Sequence, residues 1–153
     1  MREILFRGKR VDNGEWVEGQ TIVVIHQDDN DLIFMPQHGE DVKADPMVGN
    51  DRALTSIYGN YYQIFPQTVG QYTGLTDKNG RKIFEGDVLK GKFSNYVIRF
   101  DEEERAFVYG SSRKGGYIHS LAKYLIGDYK NLRVIGNIHD NPELITCGAN
   151  SEK

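Results

Sequence analysis

Two carboxylates lie on either side of a glycine near the middle of the chain, in the order Glu85, Gly86, Asp87. In a strand, residues i and i+2 share a face, so these side chains would lie together as a general acid–base pair requires. The same order is typical of a tight bend between strands, in which the aspartate shapes the turn. Because turn carboxylates are far more common than catalytic pairs, we interpret the segment as a bend.

Candidate metal ligands concentrate in one segment of the N-terminal half. They are His26, Asp28, Asp29, Asp31, His38 and Asp41. Hard cations bind clustered carboxylates, but the segment has neither the acid spacing of an EF-hand loop nor a His-Glu-x-x-His pair. We therefore interpret it as a solvated acidic loop and predict no metal site and no cofactor.

A serine, two histidines and an aspartate could also form a Ser-His-Asp set on paper, since His119 precedes Ser120 and His139 precedes Asp140. The sequence contains no Gly-x-Ser-x-Gly elbow and no Gly-x-x-x-x-Gly-Lys-Ser/Thr phosphate loop. We predict no catalytic residue and interpret the chain as a non-enzymatic protein, and an undetected hydrolase is the third hypothesis.

Cations alternate with aromatic rings between residues 78 and 96, a mixture that single-stranded nucleic-acid binders use. The residues are Lys78, Arg81, Lys82, Lys90 and Lys92, with Phe84, Phe93 and Tyr96. The isoelectric point of about 5.8 argues against phosphate binding. A small-barrel nucleic-acid-binding protein is therefore the alternative function, and not the favoured one.

The charges are unevenly distributed. Residues 1–11 carry four basic and one acidic side chain, residues 12–51 one basic and ten acidic, and residues 52–153 fourteen basic and eleven acidic. The three segments thus have net charges of +3, −9 and +3, which sum to the chain's −3. Such asymmetry indicates an interaction surface. We expect a homo-oligomer in which Trp16, Phe34 or Tyr61 is buried between subunits.

The chain shows no feature of export or membrane insertion. Its one cysteine, Cys147, excludes an intrachain disulfide. The longest aliphatic run, Ile22 to Ile25, is far shorter than the roughly 20 residues that span a bilayer. The first residues do not resemble a signal peptide. We predict a cytoplasmic protein without a membrane partner.

Short runs with period-2 patterning predict a mainly β fold, made of small antiparallel sheets or an SH3-like barrel. Asn79-Gly80 predicts a two-residue type I′ hairpin, and Ser120 is the expected N-cap of one short helix over residues 120–126. We predict an N-terminal β subdomain at 1–66, a barrel-like subdomain at 67–144 and a polar tail at 145–153. The predicted strands are Glu3–Arg7, Trp16–Ile25, Leu32–Met35, Gln67–Tyr72, Arg81–Phe84, Asp87–Phe93, Tyr96–Phe100, Ala106–Tyr109 and Arg133–Ile138.

One segment is specific enough to suggest a family. Residues 74–88 read Gly-Leu-Thr-Asp-Lys-Asn-Gly-Arg-Lys-Ile-Phe-Glu-Gly-Asp-Val and resemble the signature of the YopX family of phage and prophage proteins. Residues 2–10 and 14–19 resemble the N-terminus of that family, and residues 134–144 resemble its C-terminal block. The signature positions, which we interpret as structural, are Gly74, Asp77, Asn79, Gly80, Glu85, Gly86, Asp87, Gly136, Asn137 and Pro142.

The resemblance implies a small β protein carried by phages of Gram-positive bacteria and by integrated prophages. The family has no established activity, so the resemblance supplies no catalytic residue. We therefore expect a phage accessory protein in the cytoplasm of the bacterial host. It would act by contact with an unidentified host or phage protein or with its own copies.

Overall fold

The computed structural model describes residues 2–37, 61–92, 94–111, 118–121 and 131–145. Within these residues the chain is mostly antiparallel strand in three small sheets, which confirms the predicted fold class. The described elements also include two 3-10 turns, Pro66–Thr68 and Pro142–Leu144. The strands are β1 Phe6–Lys9, β2 Trp16–Gly19, β3 Val23–His26, β4 Asp31–Pro36, β5 Tyr61–Ile64, β6 Gly70–Thr76, β7 Lys82–Phe84, β8 Asp87–Lys90, β9 Asn95–Asp101, β10 Ala106–Ser111, β11 Ile118–Ser120 and β12 Arg133–Asn137.

The chain divides into two compact units, Met1–Gln71 and Tyr72–Lys153. In the first unit, β1 pairs with β2 and with the first two residues of β6, while β3, β4 and β5 form a separate sheet. Phe34, Met35 and Ile64 are at most 1% exposed and belong to its core. The proposed subdomain bounds at residues 66 and 144 stay a prediction.

Two buried aromatic residues of the first unit correct an expectation. Phe34 is fully buried and Tyr61 is 8% exposed within the single chain, so neither is available to a second subunit. Trp16 is half-buried, with the Arg7 guanidinium 4.8 Å from its ring centroid. The charge pattern suggested contact residues, but it could not show which aromatic side chains the chain buries in its own core.

Several predicted strands in the first unit have different bounds, and two of the differences have a clear physical cause. The run from Trp16 to Ile25 is two strands, because β2 pairs with β1 while β3 pairs with β4. The strand predicted from Gln67 begins only at Gly70, because Pro66 starts a 3-10 turn that Thr68 stabilises. The Thr68 hydroxyl donates to the carbonyl of Phe65 and accepts the Lys9 N–H.

In the second unit, β12, β8, β9, β10 and β11 lie side by side in a five-stranded antiparallel sheet, and the rest of β6 pairs with β7. One side of this sheet packs into a core whose buried members are Ile83, Leu89, Ile98, Tyr109, Leu121, Leu132 and Val134. Ile135 is the extra residue of a bulge between Val134 and Gly136.

The predicted helix falls largely outside the part of the chain that is described. Ser120 is the last residue of β11 and Leu121 is buried, whereas residues 122–126 are not described. No helix among the described residues is long and apolar enough to cross a membrane.

Candidate functional site

The side chain of Asp77 organises the turn between β6 and β7. Its Oδ1 atom accepts the backbone N–H of Asn79 at 2.8 Å and that of Arg81 at 2.9 Å. Its Oδ2 atom accepts the N–H of Val134, in β12, at 2.9 Å. Asp77 is 6% exposed. Its carboxylate is thus used to fix backbone and is directed at no open site.

Two opposing effects set the pKa of Asp77. Burial disfavours the charged carboxylate and raises the pKa, but the three backbone donors favour it and outweigh burial, so the pKa is lowered from its ordinary value. Arg81 contributes a smaller attraction in the same direction. The group is therefore a stable anion at neutral pH and is unsuited to proton transfer.

The turn itself differs from the predicted type I′. Gly80 has φ +80°, but Asn79 is not among the described residues with positive φ. The Asp77 carbonyl accepts the Gly80 N–H at 3.0 Å, and the Asp77 N–H donates to Arg81 at 2.8 Å. This is a type I turn followed by a left-handed glycine. The Asp77 side chain holds the Asn79 N–H, which the sequence reasoning did not consider.

Gly86 and Asp87 form a bend that is held by hydrogen bonds to the backbone of neighbouring strands and turns. Gly86 has φ +87°, donates its N–H to Ile98 at 2.8 Å and accepts the Ile138 N–H at 2.9 Å. The fully buried Asp87 accepts the Phe84 N–H at 2.8 Å. A carboxylate in this position stabilises the exit from β7 and cannot reach a substrate in solvent.

The signature residues Gly136, Asn137 and Pro142 lie at the end of β12 and in the turn that follows it. The Asn137 Oδ1 atom accepts the N–H groups of His139 at 3.0 Å and Asp140 at 2.9 Å. A side chain at Gly136 would collide with Asn141, and Pro142 begins the 3-10 turn that follows. The remaining signature residue, Gly74, has φ +86°. The signature residues around Asp77, around Gly86 and around Asn137 thus each include a polar side chain or a glycine that shapes a turn.

The residues considered for a Ser-His-Asp set occupy separate structural positions. His119 lies in β11, where its ring stacks on Tyr109 with 5.2 Å between centroids. His139 follows β12, and its Nε2 atom would lie 3.6 Å from a Cβ placed on Gly86. Ser120 is exposed at the end of β11. The two histidines therefore pack against different elements.

The acidic loop between β3 and β4 is exposed. His26 Nδ1 lies 2.8 Å from Asp31 Oδ1, and these two residues are directly paired across the strands. Asp28 and Asp29 lie in the intervening turn. No group of three or more His, Cys, Asp or Glu side chains that could hold a metal ion occurs among the described residues, and His38 and Asp41 lie outside them.

The predicted mixture of cations and rings separates in the structure. Phe84 is 2% exposed and packs on Tyr72, while Tyr96 lies against the core and meets Tyr109 edge to face. Lys78, Arg81, Lys90 and Lys92 are exposed, whereas Phe93 is outside the described residues. The described rings are thus used for packing, which weakens the argument for base stacking.

Two surface features were missed in the sequence. Lys90 and Arg133 are directly opposite each other across β8 and β12, and both are exposed. They are 43 positions apart, so only the strand pairing brings them together. Three consecutive exposed glutamates, residues 102–104, form the turn between β9 and β10. The acidic run was visible in the sequence, but its position at a hairpin tip was not.

A family model and one solved structure each match most of this chain. A family model described as YopX protein matches residues 5–146. The crystal structure of protein EF1440 from Enterococcus faecalis is similar to this chain, with 23% sequence identity and a TM-score of 0.49. The match covers 95% of this chain and 99% of that one. No curated protein matches the chain.

Proposed function

Because this chain belongs to the YopX family, we propose that it is a phage or prophage accessory protein that acts by binding other proteins, including its own copies. The host or phage partner would be met in the cytoplasm of the bacterium. The proposal assigns the chain a binding role and no reaction.

The use of the signature residues is the observation that carries the proposal. The side-chain oxygens of Asp77, Asp87 and Asn137 all accept backbone N–H groups. Residues that serve the fold in this way give the family a common scaffold, and function then depends on what the scaffold presents on its surface.

The surface supports contact with other proteins. Apolar side chains stand exposed on both units, among them Ile4 at 56%, Phe100 at 45% and Ile118 at 46%. The sequence also has charged segments of opposite sign, since residues 12–51 carry −9 and residues 52–153 carry +3. Apolar anchors surrounded by complementary charge are what protein interfaces use for affinity and for orientation.

The proposal is tested by capture followed by reconstitution. A tagged chain is expressed during phage infection, the proteins that co-purify are identified, and each is made separately and mixed with the purified chain. We expect at least one purified protein, or the chain itself, to bind with micromolar or tighter affinity. Failure of every purified candidate and of self-association would contradict the proposal.

Nucleic-acid binding, the alternative function, must be distinguished from protein binding. The chain is titrated into labelled single-stranded DNA and RNA at about 100 mM salt and at higher salt. Because phosphate contacts release counterions, true binding would weaken steeply as salt rises. A strong, salt-dependent shift together with no protein binding would favour the alternative function.

A further inference from the structure

The exposed pair of cations on the five-stranded sheet has an unfavourable arrangement. Lys90 and Arg133 are direct cross-strand partners, so their side chains share one face of the sheet with Cβ atoms about 5 Å apart. Like charges placed directly opposite each other destabilise a sheet. Neither residue makes an ion pair within the described part of the chain. A carboxylate brought from outside would relieve their repulsion.

A source of such carboxylates lies at the other end of the same sheet. Glu102, Glu103 and Glu104 are exposed in the β9–β10 turn, and none forms an ion pair among the described residues. The turn has a defined shape, because Asp101 Oδ1 accepts the N–H groups of Glu103 and Glu104, both at 3.0 Å. With Arg105 included, four carboxylates and one guanidinium give residues 101–105 a net charge of −3.

An apolar side chain accompanies the acidic turn. Phe100 precedes Asp101, is 45% exposed and meets Phe107 edge to face with 5.5 Å between ring centroids. Exposed ion pairs alone stabilise a contact little, so an exposed ring beside the charges supplies the apolar area that a stable contact needs.

Strand β9 keeps the acidic and basic features apart within one molecule. Lys90 pairs with Asn95 at the start of β9, and the acidic turn follows Asp101 at its end. Six steps of about 3.3 Å place them roughly 20 Å apart along the sheet. An ion pair requires a few ångströms, so the acidic turn and the Lys90–Arg133 pair can meet only between two molecules.

We propose that the acidic β9–β10 turn of one copy docks, with Phe100, on the Lys90–Arg133 pair of a second copy. The inference rests on the proposed self-association and adds the surfaces that make it. Arg99, Arg105 and Lys92 are the other cations near these surfaces. Each copy carries both surfaces, so the contacts are satisfied reciprocally in a dimer or head to tail in a ring.

Charge reversal of each surface tests the contact. E103K/E104K makes both surfaces basic and K90E/R133E makes both acidic, so each variant alone repels itself. Light scattering coupled to gel filtration should then give about 17.4 kDa for each variant and a multiple of that mass for the parent. In a one-to-one mixture, the turn of each variant can again contact a pair of opposite charge at positions 90 and 133 of the other variant. The oligomeric mass should then return.

A matched control uses the exposed loop of the other unit. D28K/D29K changes the charge by the same amount as E103K/E104K and should keep the mass of the parent. Circular dichroism and thermal unfolding show whether each variant is folded. Should a reversal unfold the chain, the neutral variants E103Q/E104Q and K90Q/R133Q replace it, and each should weaken self-association by at least tenfold.

Each other outcome has a defined meaning. An oligomeric parent whose mass none of these variants changes would overturn this contact and leave the proposed self-association standing. A parent of 17.4 kDa at every concentration would overturn both. The K90E/R133E variant could also lose binding to single-stranded DNA or RNA while its oligomeric mass stays the same as that of the parent. In that case the basic pair binds phosphates and the proposed contact is wrong.

Discussion

The carboxylate of Asp77 accepts the N–H of Val134, 57 positions later in the sequence, at 2.9 Å. Its other oxygen accepts two N–H groups of its own turn. One buried side chain therefore fixes a local turn and joins it to the start of β12. Asp77, which lies in the most specific part of the family resemblance, thus has a structural role in this chain.

Removal of the Asp77 carboxylate should destabilise the chain. Asp77→Ala leaves one buried and two partly buried backbone donors without their acceptor, and a buried donor that loses its partner costs about 1–3 kcal/mol. We expect a loss of at least 2 kcal/mol in the free energy of unfolding, measured by urea denaturation. Asp101→Ala, which removes two similar bonds from an exposed turn, should cost less than half as much. Equal effects would show that the Asp77 bonds are not buried.

The same side chain predicts a pH dependence. Because the folded-state pKa of Asp77 lies below its unfolded value of about 3.9, its stabilisation is present above that value and is lost as pH falls through the folded pKa. The stability difference between parent and Asp77→Asn should therefore shrink below about pH 4. Asp12→Asn is the control variant. The Arg10 hydrogen bond also lowers the pKa of Asp12, but this site is exposed, so the effect of the substitution on stability should be small at every pH. A difference that stays constant down to pH 2 would contradict the assignment.

Gly80 provides a test of backbone strain without steric contact. It has φ +80°, and no atom lies within 4 Å of the position of an added Cβ. Gly80→Val should therefore cost about 1–2 kcal/mol through the left-handed backbone alone. Gly80→Asn should cost clearly less, because asparagine adopts this conformation more readily. Equal thermal unfolding of Val and Asn variants would disprove the turn geometry.

The two carboxylates of the bend should differ in their contribution to stability. Asp87→Asn alters a fully buried acceptor of the Phe84 N–H and should lower the free energy of unfolding by about 1–2 kcal/mol. Glu85→Gln, at a half-buried position, should change it by about 0.5 kcal/mol or less. Partner binding by both variants, measured below their unfolding temperatures, should match the parent. A large loss of binding without a loss of stability would assign the bend a direct functional role.

The sequence was informative where structure depends on local chemistry. Gly86 and Asp87 could be recognised as a bend because a flexible residue and a turn-forming side chain stand together. The strand pattern likewise indicated a mainly β chain. The predicted type of the Asn79–Gly80 turn was wrong. The turn type depends on the Asp77 side chain, which accepts hydrogen bonds from two backbone N–H groups of the turn and so alters the backbone preference of Asn79.

Features that depend on distant pairing could not be predicted. The alternation of apolar and polar residues from Trp16 to Ile25 fits one strand as well as it fits two. It does not show that the first part of the run pairs with β1 and the last part with β4. The burial of Phe34 and the opposition of Lys90 to Arg133 also arise from strand order. Periodicity gives the face on which a residue lies, but not the residue that stands opposite.

The most direct test of the account is the mass of the unmodified chain in solution. Light scattering coupled to gel filtration, at micromolar concentration and at low and high salt, should give a multiple of 17.4 kDa at low salt. That mass should fall as salt rises if charge complementarity holds the copies together, because salt screens exposed charges. A mass of 17.4 kDa at both salt concentrations would contradict self-association, which is the central claim.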